Sequence, residues 1–116
     1  MADVVIWHNP NCGSSRTALQ LLRDRGVDAD VVQYLKTPPA RAELERVVGL
    51  LPTPPADLVR KDKRFGELGL DAAAYQSPAE VVDLLVEHPE LMQRPVVIQG
   101  ERAVIARPPS TLDDWL

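Results

Sequence analysis

The chain has little sulfur and few aromatic rings. Its 116 residues include one cysteine, two methionines, one phenylalanine, two tyrosines and two tryptophans. A single cysteine excludes an internal disulfide, so folding does not require an oxidising compartment. With only two histidines beside that cysteine, no Cys, His and carboxylate residues fall at metal-ligand spacing, and no metal site is expected. No apolar run approaches the roughly 20 residues that cross a bilayer. The opening residues, MADVVI, are too short for a secretory signal. Positive charge is not in excess either: 13 Lys and Arg stand against 17 Asp and Glu, a net charge of −4. That balance excludes a basic surface for nucleic acid or anionic lipid. These absences lead to the expectation of a cytoplasmic protein with neither nucleic acid nor membrane as partner. The chain shows no long exposed apolar stripe, so a monomer is expected.

What the chain does contain is an ordinary globular composition, 45% apolar, in a length that suits one domain over residues 1–116. The 11 prolines gather in pairs at boundaries and do not form a disordered tract. DVVIWH, residues 3–8, is β-rich and almost wholly apolar, the pattern of a strand buried on both faces. Trp7 belongs to its core side. NPNCG is turn chemistry, and Ser14 or Ser15 is the expected N-cap of a helix carrying Ala18, Leu19, Leu21 and Leu22. Gly26 stops that helix. DADVVQYL, residues 28–35, reads as a second strand, parallel to the first through a βαβ unit.

Thr37, ahead of two prolines, is expected to open the next helix, with proline in its first turn and Glu43 and Leu44 inside it. Residues 53–91 read as several short helices, of which the clearest begins at Ser77-Pro78. His88, near that helix's C-terminus, suits capping better than catalysis. RPVVIQGERAVIARPP, residues 94–109, is a hairpin signal around Gly100-Glu101. PSTLDDWL can close the chain as a short helix anchored by Trp115. The expected class is α/β: a thioredoxin-like mixed four-stranded sheet flanked by helices. A helical insertion lies between the second and third strands, at about residues 40–92.

The one cysteine lies in HNPNCGSSR, residues 8–16, between the first strand and the first helix. A thiol reacts as its thiolate, and free cysteine is mostly protonated at neutral pH. Cys12 just before a helix start meets unpaired N–H groups that favour an anion. His8, ending the strand, can approach the sulfur directly or through hydrogen bonds. A phosphatase-type loop is excluded, because the position six residues beyond the cysteine is Ala18 and not arginine. A dithiol C-x-x-C pair is excluded by Ser15. Redox chemistry at Cys12 therefore requires an external thiol. An oxyanion also calls for arginines. Arg94 and Arg107 each precede a proline at a strand boundary, and Arg60 lies in the charge run LVRKDKRFG. Arg16, in the first helical turn, opposes the helix dipole unless an anion lies there.

Taken together, HNPNCGSSR, YLKTPP, LVRKD with ELGL, HPELMQRPVVI and ARPP resemble the glutaredoxin-coupled arsenate reductases, the ArsC family. The motifs occur in the family's order from about residue 4 to the C-terminus. The resemblance implies a thioredoxin-like fold with a helical insertion, and reduction of arsenate to arsenite. It implies that Cys12 is the nucleophile and that His8 favours its thiolate. It implies that Arg60, Arg94 and Arg107 hold the oxyanion, and that Pro95 is the cis proline of thioredoxin-like folds. Ser15 and Arg16 fall in a supporting position. Glutathione is the implied external reductant, glutaredoxin the implied partner, and no cofactor is tightly bound. Two other readings stay open: a glutathione-linked oxidoreductase with another substrate, and a regulatory protein-binding module of the same fold.

Overall fold

The computed structural model describes residues 3–116. Four strands form one sheet: β1 (Val4–His8), β2 (Ala29–Gln33), β3 (Val96–Gln99) and β4 (Arg102–Ile105). Five α-helices accompany it: α1 (Gly13–Asp24), α2 (Arg41–Leu50), α3 (Lys63–Glu67), α4 (Pro78–Glu87) and α5 (Thr111–Trp115). Short 3-10 turns at Pro55–Leu58, Ala72–Ala74 and Pro89–Leu91 join the helices between β2 and β3. The sheet order is β2-β1-β3-β4, with β1 parallel to β2 and antiparallel to β3, and β3 antiparallel to β4. This is the mixed four-stranded thioredoxin-like arrangement the sequence pattern predicted. No helix among the described residues is long and apolar enough to cross a membrane.

Side chains alternate across a strand, so a central strand must supply apolar residues to both faces. In β1, Val4 and Ile6 join Ala18, Leu19 and Leu22 of α1, Val97 and Val104 of the hairpin, and Leu112 of α5. Trp7 points the other way, into a cluster with Leu44 and Val47 of α2, Val81 and Leu85 of α4, and Val96 and Ile98 of β3. The apolar run in residues 3–8 is thus explained by two cores sharing one strand. The hairpin turns at Gly100, whose φ of +58° is a conformation that glycine adopts without strain. Helix α4 starts with a capping box: Ser77 accepts from the Glu80 N–H, and Glu80 accepts from the Ser77 N–H.

Three sequence expectations need correction. Helix α1 is not capped by Ser14 or Ser15. It begins at Gly13 with Cys12 itself in the N-cap position, extended at φ −106°, ψ 124°. The Ser15 hydroxyl turns inward and bonds residues ahead of the helix, so it is not available to cap. Helix α2 begins at Arg41 and not at Thr37. Both prolines precede it and hold Thr37 and Pro38, each followed by a proline, out of the helical region, and Ala40 is the extended N-cap at ψ 153°. The second strand ends at Gln33, short of residue 35. Gln33 O there accepts the N–H groups of Lys36 and Thr37, which turns the chain and carries Tyr34 into the core.

The register brings the functional segments together. Parallel pairing sets His8 opposite Gln33, and antiparallel pairing sets Trp7 opposite Val96 and Val96 opposite Ile105. The residues after β1, after β2, before β3 and after β4 therefore emerge at one end of the sheet. These are the segments holding Asn9 to Cys12, Tyr34, Arg94-Pro95 and Arg107. The N–H of Ala106 donates to Pro95 O at 2.9 Å and ties the last two together.

Candidate active site

Cys12 is buried at the mouth of α1 and forms no disulfide. The first N–H groups of a helix have no carbonyl partner within it. Here they serve the sulfur. Burial pushes the thiol pKa up, but the Ser15 N–H, the hydrogen bond and charge of Arg94, and the Ser14 N–H together outweigh it. The net result is a thiol more acidic than an ordinary cysteine. The Arg107 guanidinium also reaches in, with Nη1 3.9 Å from Sγ and 3.5 Å from Arg94 O. Among the described residues neither Arg94 nor Arg107 has a carboxylate partner within ion-pair distance, although the chain is acidic overall. Both are therefore available to a negatively charged guest.

His8 is buried at the end of β1, and its Nδ1 lies 2.7 Å from Ser15 Oγ. The same oxygen accepts the N–H of Asn9 at 3.0 Å. Burial lowers the imidazole pKa, and the charges of Arg23 and Arg16 lower it further, against a weaker opposing effect from the Ser15 backbone. His8 is consequently neutral at neutral pH. No described hydrogen bond joins it to the sulfur. Its connection to Cys12 runs through Ser15, whose hydroxyl holds His8 while its N–H faces the thiol. Of the two routes the sequence left open, the structure takes the hydrogen-bonded one.

Arg16 folds back over the loop, and its Nη1 donates to Pro10 O at 2.9 Å. It clamps the turn that carries the cysteine. Pro95 follows a cis bond, and Pro108 follows another. Arg60 is placed differently. A bridge between Val59 and Met92 holds its backbone to the strand-like segment ahead of Arg94. Its side chain, however, pairs with Asp62 at 3.4 Å, and no described hydrogen bond or ion pair joins it to Cys12, Arg94 or Arg107. Asp62 is itself engaged in capping α3 through the Phe65 N–H. The structure thus brings Cys12, His8, Ser15, Arg94, Pro95 and Arg107 together and leaves Arg60 turned to its own neighbour.

Beside Arg107 opens a cleft of about 420 Å³ whose lining includes Thr53, Asp57, Lys61 and Gln93. Sequence reading missed Lys61 and Gln93, which carry no motif of their own. It also missed Asn9 and Tyr34. Asn9 is buried, and its Oδ1 accepts the Asn11 N–H at 3.0 Å, the local turn bond expected of an asparagine in NPN. That signal was present in the sequence.

An acidified lone thiol at a helix start, flanked by two unpaired arginines at one end of a mixed sheet, defines a thioredoxin-like protein with a one-cysteine, anion-accepting site. Comparison with known proteins narrows the class. The model of the ArsC family matches residues 7–115. The chain is 40% identical over 114 residues to an arsenate reductase of Rhizobium meliloti, covering 97% of this chain and 81% of that one. It is 33% identical over 117 residues to an arsenate reductase of Escherichia coli, covering 82% of that protein. The solved arsenate reductase of Vibrio cholerae superposes with a TM-score of 0.85 at 34% identity, covering 97% of each chain. The chain belongs to the ArsC family.

Proposed function

We propose that this protein is a thiol-dependent arsenate reductase acting in the cytoplasm, with Cys12 as nucleophile and Arg94 and Arg107 as the oxyanion's ligands. The observation that supports this best is the acidified Cys12 thiol facing two arginines that have no acidic partner among the described residues. Arsenate is a tetrahedral anion, and bidentate arginine contacts match its oxygens. The Cys12 thiolate forms a sulfur–arsenic bond while an arsenate hydroxyl takes up a proton from solvent and leaves as water. Reducing arsenic(V) to arsenic(III) takes two electrons, which two thiol sulfurs supply by joining as a disulfide. The chain has one cysteine, so the second sulfur comes from outside. Glutathione fits that role: its thiol enters beside Arg107 and arsenite leaves. The glutathione joined to Cys12 is then removed by glutaredoxin through thiol–disulfide exchange. Phosphate shares arsenate's shape and charge, and discrimination lies in the chemistry, since thiols reduce arsenic(V) and not phosphorus(V).

In this scheme His8 is a neutral support and not a cationic partner of the thiolate. Arg60 joins the oxyanion only by releasing Asp62, which makes it a ligand of the occupied site. The protein works as a monomer. The test is arsenate-dependent NADPH consumption in an assay coupled through glutathione reductase, glutathione and glutaredoxin. Wild-type protein is expected to support turnover and Cys12→Ser to abolish it. Full turnover by the serine variant contradicts the nucleophile assignment, and no turnover by wild type contradicts the substrate.

A further inference from the structure

Among the described residues three buried side-chain atoms lack hydrogen-bond partners, Gln93 Oε1 being one; the other two are the Tyr34 hydroxyl oxygen and Arg94 Nε. The strand register places them near each other. His8 pairs with Gln33, and Trp7 pairs with Val96. One step beyond the first ladder Asn9 falls opposite Tyr34, and two steps beyond the second it falls opposite Arg94, so it stands between them. Tyr34 is 0% exposed and packs in the cluster that contains Trp7 and Val96. Burial raises its pKa, and the charge of Cys12 adds to that rise. Arg94, by its charge, and Asn9 oppose it. The phenol is therefore neutral and close enough to feel the thiol, the arginine and the asparagine.

A buried hydroxyl without a partner destabilises a fold, and phenylalanine would fill the same space without that cost. The hydroxyl therefore points to a role outside folding. We propose that Tyr34 is a positioning residue: when an oxyanion occupies the site, its hydroxyl accepts the Arg94 Nε–H and fixes the plane of that guanidinium. This rests on the oxyanion-binding reading above. An arginine binds an oxyanion through two parallel bonds only when its plane is set, and a partner behind Nε sets it. The other guanidinium nitrogens then remain on the Cys12 side, where Arg94 already stabilises the thiolate. Both orphaned atoms are satisfied in one movement.

Tyr34→Phe tests the proposal with three readouts on the full-length protein. Thermal unfolding is expected to give an unchanged or higher Tm, because an unpaired hydroxyl has been removed. The arsenate concentration that half-protects Cys12 from iodoacetamide, and the KM for arsenate, are expected to rise roughly tenfold, the worth of one hydrogen bond to a charged group. The apparent pKa of Cys12 in the alkylation profile without oxyanion is expected to stay at the wild-type value, because the bond forms only in the occupied site. A fall in Tm of more than a few degrees assigns the hydroxyl to folding and overturns the proposal, whatever happens to KM. Unchanged protection by arsenate overturns it as well. Should wild-type protein not reduce arsenate, the substrate reading fails separately. The proposal is then decided by arsenate protection of Cys12 alone, where equal half-protecting concentrations for the two proteins refute it.

Discussion

Replacing Ser15 by alanine removes one oxygen and strands two buried groups. The Ser15 hydroxyl is 0% exposed, bonds His8 Nδ1 at 2.7 Å and accepts the Asn9 N–H at 3.0 Å. Both partners are themselves buried, so water cannot replace the missing atom. Leaving a buried polar group unsatisfied costs about 1–3 kcal/mol, so the two together cost about 2–6 kcal/mol. A domain of this length unfolds with an entropy that converts 1 kcal/mol to roughly 4 °C. Ser15→Ala is therefore expected to lower Tm by roughly 8–24 °C. Thermal unfolding followed by circular dichroism at pH 7.5 measures it. Ser14→Ala is the control: its hydroxyl makes no described hydrogen bond, and its Tm is expected to stay within about 2 °C of wild type. A Ser15→Ala Tm that matches the Ser14→Ala value would refute the buried network. It would also remove the link through which His8 reaches the cysteine loop.

Arg94→Ala is expected to raise the KM for arsenate at least tenfold and to raise the apparent pKa of Cys12. Unchanged kinetics would remove Arg94 from the site. Stability should also depend on pH through His8. Its pKa in the folded protein is lowered from 6.5, so below pH 6.5 the unfolded chain binds a proton that the folded one does not. Stability is thus complete above pH 6.5 and is lost as pH falls through and below it. Urea unfolding between pH 8 and 5.5 reads this, and His8→Gln is expected to show a flatter dependence over that window. Ser77→Ala breaks the capping box of α4 and should cost about 1 kcal/mol, or roughly 4 °C in Tm. It should leave the rate of Cys12 alkylation unchanged, because α4 lies away from the thiol loop.

How much of this was legible in the sequence differs from residue to residue. β1 announced itself, because a strand with apolar residues on both faces belongs between two layers. Ser77-Pro78 announced α4, since capping chemistry is local. The Ser14/Ser15 cap failed for the opposite reason. Ser15 had a stronger tertiary use, and a hydroxyl committed to His8 and Asn9 is not free for its own helix. Thr37 failed because two successive prolines hold the chain extended up to Ala40. Arg94 and Arg107 were visible through the prolines that follow them, and the register then delivered both to one end of the sheet. Arg60 had only a charge run around it, and the structure pairs it with the nearest aspartate. Tyr34 was illegible as a site residue. Its place beside Asn9 and Arg94 depends on two separate strand pairings, which no local pattern encodes.

The central claim is that Cys12 is ionised beside a seat for a tetrahedral anion. The most direct measurement is the rate of its alkylation by iodoacetamide as a function of pH, with and without arsenate. An apparent pKa below the ordinary thiol value of about 8.5, with arsenate slowing the reaction, is the predicted result. A midpoint at the ordinary value together with no protection by arsenate would contradict it.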